Sequence, residues 1–287
     1  MTWELFGEIT LDALKDSAIV FGFVFLAHIL IALIEEKLAH FLTHNKKLST
    51  LFGSLFGLLP QCGTSVLGAD LYIKRYITMG TLIAIFLSCS DEALIVMLTS
   101  WNDRTIMVLP LLGTKFVIGF VIGMLVDIIF RHQDIKLEEY HDDHHCHQHH
   151  DEENTHLHKY LIHPLIHSLE IFFYVFIINL VLGVIIGYVG EEAFASFLVS
   201  NKYLTPLYSS IIGLIPNCAS SILISELYMS YSLSFGALLS GLLVNSGLGL
   251  MILLKSKHNI KNVIFILIIC FIVAIISGYI TCLIFGF

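Results

Sequence analysis

Long apolar runs separated by short polar segments dominate the chain. Six of them approach or exceed the length of a membrane-spanning helix, which needs roughly 20 apolar residues. They occupy residues 18–34, 81–98, 106–130, 171–189, 236–254 and 263–287. All but one of these runs nearly lack charged residues. The pattern predicts an all-α, polytopic membrane protein that is embedded in the lipid bilayer.

Composition supports this prediction and narrows the function. Of the 287 residues, 56% are hydrophobic and 13% are charged, which is about half the charged fraction of a soluble domain. No spacing resembles a zinc finger, a phosphate-binding loop, a catalytic triad or a nucleic-acid-binding surface. We therefore expect neither an enzyme nor a nucleic-acid-binding protein, and no resident cofactor.

The N-terminal segment 1–16 predicts a short amphipathic helix that lies in the membrane interface. Its acidic residues recur every four positions, opposite an apolar face. They are Glu4, Glu8, Asp12 and Asp16. The segment lacks the basic region typical of a secretory signal peptide.

The same sequence pattern occurs twice, at a constant separation of 156 residues. LLPQC at 58–62 returns as LIPNC at 214–218, and DLY at 70–72 returns as ELY at 226–228. Two apolar copies with interruptions at matching positions are typical of transporters whose substrate site lies between internal repeats. The predicted domains are a first membrane repeat (1–130), a hydrophilic linker (131–160) and a second membrane repeat (161–287).

The distribution of Lys and Arg predicts how the repeats insert. We assume that each repeat has three crossings and one Pro-broken re-entrant hairpin, at 49–74 and 205–230. The basic residues are then strongly biased towards the cytoplasmic side. Those inside are Lys37, Lys46, Lys47, Lys74, Arg75, Arg131, Lys136, Lys159, Lys255, Lys257 and Lys261, and those outside are Lys15, Arg104 and Lys202.

An odd number of crossings per repeat makes the second repeat insert upside down. The sequence therefore predicts two inverted-topology repeats with about ten membrane segments, counting each hairpin arm as one. Both termini are expected outside and the linker in the cytoplasm. The expected location is the cytoplasmic (inner) membrane.

The residues after each hairpin proline form the predicted substrate site. Pro60 and Pro216 break helices, which frees backbone groups that should line a cavity. The following helix presents N-terminal amides, which favour an anion or a polar oxygen-bearing substrate. The predicted ligands are Gln61, Cys62, Thr64, Ser65, Asn217, Cys218, Ser220 and Ser221. Pro-kinked packing, with the cysteines as small buried hydrophobes, is the alternative.

Carboxylates inside a span predict a coupling site in the first repeat. Asp91 and Glu92 lie within SCSDE at 88–92, whereas the matching VNSGL at 244–248 is polar but uncharged. Such carboxylates face a cavity or a partner and can bind a cation or carry protons. Structural pairing between helices is the alternative. Two further candidate substrate ligands at these positions are Cys89 and Asn245.

Lys115 lies near the middle of its span, and Phe271 stands 156 residues further on. A lysine inside a membrane needs a carboxylate, so we expect it to pair with Asp91 or Glu92 and to take part in coupling. Snorkelling of the side chain to the interface is the alternative.

The linker 131–160 is rich in histidine and acidic residues. It cannot bury a core, so we expect it to be disordered without a ligand. Imidazole suits Zn, Ni and Cu, so metal capture is one interpretation and a solvated linker with incidental histidines is the other. The candidate loop ligands are His141, His144, His145, His147, His149 and His150.

Several of these segments resemble a known family. LPQCG at 59–63, SDEAL at 90–94, GLIPNC at 213–218 and SFGAL at 234–238 resemble segments of the ten-segment heavy-metal exporters. That family is related to the organoarsenical permeases, and its members carry the labels arsenic efflux protein or manganese transporter. The resemblance covers nearly the whole chain except the linker. It implies transport of a heavy metal or metalloid.

Residue chemistry leaves the transported ion open. Cys62, Cys218 and Cys89 suit a thiophilic metalloid such as trivalent arsenic, whereas Asp91 and Glu92 suit a harder ion such as manganese. Because the sequence contains no nucleotide-binding domain, we expect a secondary transporter that exports the ion, driven by protons or another gradient. An ion channel or a membrane metal sensor without active transport is the alternative. A homo-oligomer is compatible with the sequence.

Overall fold

The regular elements of the described chain are all helices. The computed structural model describes residues 46–59, 63–90, 93–99, 103–130, 203–255 and 260–286, with single positions between 7 and 26 and between 165 and 201. The helices are α1 (Lys46–Gly57), α2 (Gly63–Ile73), α3 (Met79–Ser88), α4 (Ala93–Thr99), a 3-10 helix (Asp103–Met107), α5 (Val108–Ile129), α6 (Thr205–Gly213), α7 (Cys218–Met229), α8 (Phe235–Val244), α9 (Gly249–Lys255) and α10 (Ile260–Phe285). The all-α prediction is confirmed for these ranges. The linker lies outside them, and segments 1–16, 18–34 and 171–189 are described at single positions at most.

The duplication in sequence is also a duplication of local structure. Helices α3 and α8 begin and end 156 residues apart, and so do α4 and α9. The hydroxyl groups of Thr78 and Ser234 cap the N-termini of α3 and α8 by accepting a backbone N–H. In the turns before these caps, Arg75 and Tyr231 both adopt the left-handed conformation, with φ of 61° and 63°.

The same pairs of helices pack in each repeat. In the first, α3 packs between α1 and α5, and in the second, α8 packs between α6 and α10. The two repeats also pack against each other: α2 of the first contacts α9 of the second, and α4 of the first contacts α7 of the second. Every residue of α3 is buried, and α8 is buried from Gly236 to Val244. These two short apolar helices therefore form the centre of the protein.

Both central spans are broken, which the continuous apolar runs did not predict. The first is interrupted at Cys89 and Ser90, and the second between Val244 and Gly249. Polar residues in the second break bond to the local backbone: Asn245 Oδ1 accepts from the backbone N of Gly247 at 2.9 Å. Such local hydrogen bonds compete with helix formation, and α8 ends where Asn245 takes an extended backbone conformation with ψ of 95°. Gly247 follows with a positive φ of 55°.

The outer surface of the described helices is apolar. Three stretches in the described ranges are long and apolar enough to cross a membrane: Asp103–Ile129, Phe235–Leu254 and Ile260–Phe285. The middle one, which comprises α8 and α9, is mostly buried, whereas the other two are mostly exposed. The exposed face of α10 carries an isoleucine at every fourth position: Ile264, Ile268, Ile272, Ile276 and Ile280. A continuous apolar stripe of this kind suits contact with lipid.

The buried faces of α5 and α10 follow a different register from the rest of the repeat. α5 buries Val108, Leu111, Lys115, Gly119, Gly123 and Val126, and α10 buries Val263, Ile266, Cys270, Ala274, Gly278 and Thr281. These positions are 155 residues apart, because the connection that contains the 3-10 helix is one residue longer than its counterpart. The structural counterpart of Lys115 is therefore Cys270, and the sequence-based alignment with Phe271 is wrong.

The hairpin arms are half-length helices. The arms α1, α2, α6 and α7 contain 12, 11, 9 and 12 residues. At a rise of about 1.5 Å per residue they span about 14–18 Å, roughly half of the hydrocarbon core of a bilayer. In the second repeat a turn of residues 214–217, which contains Pro216, joins the two arms.

Candidate functional site

The first turn of α2 contacts both helix breaks. Thr64 Oγ1 lies 4.0 Å from the Sγ of Cys89, which follows α3 in the same repeat. The backbone N of Gly249, the first residue of α9, donates to Ser65 Oγ at 3.3 Å. Gly249 has to be small here, since an added Cβ would overlap the backbone of Ser65. The start of α2 is thereby held against elements of both repeats.

Lys115 completes this arrangement from α5. Its side chain is 1% exposed, and its ammonium group donates to the backbone oxygens of Cys89 and Leu242. Both oxygens belong to the C-terminal ends of central helices, where unsatisfied carbonyls carry partial negative charge. A cation at this point stabilises the ends of α3 and α8 together. We call Thr64, Ser65, Cys89, Lys115, Asn245 and Gly249 the central junction.

Asn245 leaves one polar atom of the central junction unsatisfied. The residue is 2% exposed. Its Oδ1 accepts from Gly247, but its Nδ2 has no hydrogen-bond partner in the described part of the chain. Its counterpart 156 residues earlier is Cys89, a buried thiol outside any disulfide. The equivalent positions of the two breaks thus hold a thiol and an amide.

Several polar groups among the predicted ligands of the second hairpin tip already form hydrogen bonds within the turn. Asn217 caps α7, with its Oδ1 accepting from the backbone N of Ala219 at 3.3 Å. The hydroxyl of Ser220 donates to the backbone oxygens of Ile215 and Asn217 at 3.0 and 2.7 Å. Ser221 is buried, and the backbone of Cys218 begins α7. These contacts shape the turn, and two backbone amides at the start of α7, those of Ala219 and Ser220, already donate to Asn217.

Several predicted residues lie outside the described chain. They are Gln61, Cys62, Asp91, Glu92, the six candidate histidine ligands of the linker and Pro60. The predicted pairing of Lys115 with Asp91 or Glu92 is therefore not tested. Among the described residues, no group of three or more His, Cys, Asp or Glu side chains could hold a metal ion. Cys270 and Cys282 are buried in the core.

Asp127 organises a polar cluster at the start of α3. Its carboxylate accepts from Thr50 Oγ1 at 2.8 Å, Thr78 Oγ1 at 2.9 Å and the backbone N of Gly80 at 3.0 Å. Thr81 Oγ1 lies 2.8 Å from Thr78 Oγ1 and joins the same network. Sequence reasoning did not single out Asp127. A carboxylate near the end of an apolar span was the available signal.

Arg104 links the connection of the first repeat to the second repeat. Its Nη1 donates to the backbone oxygens of Tyr228 and Leu233 at 2.6 and 2.9 Å. Its guanidinium lies 4.6 Å from the ring centre of Tyr228 and 4.1 Å from that of Tyr231. A matching contact runs from the second repeat to the first, where Asn262 hydrogen-bonds Tyr72, the counterpart of Tyr228. Arg104 therefore contacts α7 and the turn after it, and Asn262 contacts α2 in the other repeat.

Comparison with known proteins agrees with this architecture. A family model described as "Putative, 10TM heavy-metal exporter" matches residues 6–192 and 169–285. The chain is thus a multi-pass membrane protein of the metal-transporter class. It belongs to this family of ten-span heavy-metal exporters, as its sequence resemblance predicted. No curated protein and no solved structure matches the chain.

Proposed function

We propose that the protein is a gradient-driven exporter that carries a heavy-metal or metalloid ion outward across the cytoplasmic membrane. The central junction is the observation that carries this proposal. There the ends of broken helices from both repeats meet around a buried lysine, and their backbone groups are available only where helices are interrupted. Broken helices between internal repeats are the usual location of a transporter's substrate site.

The two repeats have opposite orientations in this proposal. The half-length arms α1, α2, α6 and α7 support two re-entrant hairpins, because none of them is long enough to cross a bilayer. The bias of basic residues supports the same topology. In this proposal, the contacts of α2 with α9 and of α4 with α7 switch between two arrangements. The switch opens the site first to one side of the membrane and then to the other.

The proposed substrate ligands are those near the tips and breaks. They are Gln61, Cys62, Thr64, Ser65, Cys89, Asn217, Cys218, Ser220, Ser221 and Asn245. Asp91, Glu92 and Lys115 are the proposed coupling residues, with protons as the coupling ion. We expect the thiols of Cys62 and Cys218 to lie close together in this proposal. The linker histidines are a cytoplasmic collector of metal ions.

Transport into inside-out vesicles tests this function. Vesicles from expressing cells are energised and offered arsenite, methylarsenite, Mn²⁺, Zn²⁺ and Ni²⁺. We expect accumulation of at least one ion and its loss when a protonophore collapses the proton gradient. The double variant Cys62→Ser/Cys218→Ser should lower accumulation of a thiophilic ion, while Cys270→Ser, a buried thiol outside the site, should not.

Two results would contradict the proposal. If no ion accumulates although the protein is folded in the vesicle membrane, export of metals or metalloids is wrong. If ions equilibrate through the protein regardless of any gradient, the protein is a channel. Normal transport by the double serine variant would instead remove the thiols from the ligand set and favour oxygen ligands.

A further inference from the structure

Asn245 offers the central junction a hydrogen-bond donor without a described acceptor. A buried amide N–H without a partner is costly and is rare in native proteins, so it needs an explanation. Its own Oδ1 already accepts from Gly247 at 2.9 Å, which fixes the orientation of the amide and makes donation its main remaining capacity. A donor of this kind fits a ligand that carries an oxygen lone pair.

The surroundings of Asn245 favour the same kind of ligand. Lys115 brings a buried ammonium group to Leu242, three residues before Asn245. Four residues after Asn245, Gly249 contacts Ser65 in the first turn of α2, whose N-terminal N–H groups lack partners within that helix. N–H donors at this point favour an oxygen acceptor over a bare cation.

Cys89 adds the second half of the chemistry. It holds the position in the first repeat that Asn245 holds in the second, and Thr64 Oγ1 lies 4.0 Å from its sulfur. A thiol is a ligand for soft, thiophilic centres and is a poor ligand for hard divalent cations. A hydroxylated metalloid combines a thiophilic centre with oxygen atoms that accept hydrogen bonds. One class of substrate could therefore interact with both the thiol of Cys89 and the amide N–H of Asn245.

We propose that the central junction binds its cargo as an oxygen-bearing metalloid species, with Asn245 Nδ2 donating to that oxygen, and not as a bare divalent cation. This inference rests on the proposed export function and specifies its substrate class. Asn245 is then a specificity-determining residue, because it selects the hydroxylated form of the cargo.

Binding to the purified full-length protein in lipid nanodiscs tests the inference. The probes are arsenite, antimonite, Mn²⁺ and Zn²⁺, and bound element is measured after equilibrium dialysis. Asn245→Asp keeps the oxygen that accepts from Gly247 and replaces the donor with an acceptor. We expect the wild type to bind arsenite or antimonite, and N245D to bind it at least about tenfold more weakly, the effect of one well-placed hydrogen bond.

Matched variants separate this effect from general damage. Ser209 also has a buried polar atom without a described partner, but it lies on α6 outside the central junction. S209A should bind the probes as the wild type does. If N245D does not fold, N245A removes the donor without adding charge, and the same loss of arsenite or antimonite binding is expected.

Three outcomes would overturn the inference. The first is unchanged metalloid binding by N245D and N245A. The second is a gain of metalloid affinity in N245D. The third is a wild type that binds Mn²⁺ or Zn²⁺ but no metalloid, which leaves metal export intact as a function. Failure of the wild type to bind or transport any probe would instead contradict the proposed function itself.

Discussion

The Nζ of Lys115 donates to the backbone oxygen of Leu242 at 2.8 Å, across the boundary between the two repeats. The same ammonium group donates to Cys89 O in its own repeat. One buried cation therefore holds the C-terminal ends of two central helices, one from each half of the protein. Its structural counterpart, Cys270, cannot do this, so the duplication is asymmetric at its centre.

Lys115→Met is expected to destabilise the protein. Methionine fills a similar volume but leaves two buried carbonyls without this donor, at about 1–3 kcal/mol each. Thermal unfolding of the purified protein in detergent measures the loss. Val117→Met changes an exposed residue on the same helix and should leave the unfolding temperature unchanged. An unfolding temperature of K115M equal to that of the wild type would show that the lysine does not hold the helix ends.

Close helix packing at Gly57 gives a second prediction. A Cβ added to Gly57 would lie 2.6 Å from the backbone oxygen of Ile85, so Gly57→Ala has to push α1 away from α3. We expect a loss of about 1–3 kcal/mol, as in other overpacked cores. Gly113 is the control, because nothing lies within 4 Å of the Cβ that alanine would add there.

Only Gly57→Ala of the two alanine variants should therefore lower stability. Gly113→Ala removes a flexible residue from the interior of α5 and should be neutral or stabilising by up to about 1 kcal/mol. Chemical denaturation of both variants in the same detergent gives the comparison. Equal effects would mean that the approach of α1 to α3 is looser than the structure has it.

The sequence predicted those parts of the fold that depend on composition and spacing. Apolar runs predicted the spans that lie in the described ranges, because a helix in lipid needs a long apolar sequence. Matching motifs predicted the repeat, because duplicated segments keep similar residues at a constant spacing. The breaks at Cys89 and Ser90 and at residues 245–248 were missed, since the runs around them remain apolar and no proline marks them. The alignment of Lys115 failed because one additional residue in a connection shifts the register of a helix without any change of motif.

For the candidate site, residue types and spacing predicted which segments to consider but not their hydrogen bonds. Thr64, Ser65, Cys89 and Asn245 were named from the sequence, and the structure brings their segments together. Which polar groups are already bonded could not be read from residue types. The Oδ1 of Asn217, a predicted ligand, already accepts a helix-capping hydrogen bond, whereas the Nδ2 of Asn245 remains without a described partner. That distinction depends on backbone geometry, which spacing does not reveal.

Asp127 provides a third prediction, on the capping of α3. Its carboxylate receives three hydrogen bonds at a helix N-terminus, where negative charge is stabilising. Asp127→Ala should therefore cost about 1–3 kcal/mol of stability. The matching position of the second repeat holds Cys282, whose sulfur lies 3.3 Å from Ser234 Oγ. Cys282→Ala should cost less, because no charged group is lost, and a larger loss there than in D127A would contradict this account.

The last prediction concerns the contact between repeats made by Arg104. Its planar guanidinium donates to two backbone oxygens and stacks on Tyr228 and Tyr231, a combination that a lysine cannot reproduce. Arg104→Ala should lower the free energy of unfolding by about 1–3 kcal/mol, and Arg104→Lys should recover only part of that loss through its charge. Unfolding temperatures in detergent measure both variants, with the exposed Lys261→Ala as a control for the loss of a basic residue. If R104K is as stable as the wild type, charge alone holds the turn, and neither the stacking nor the paired hydrogen bonds contribute.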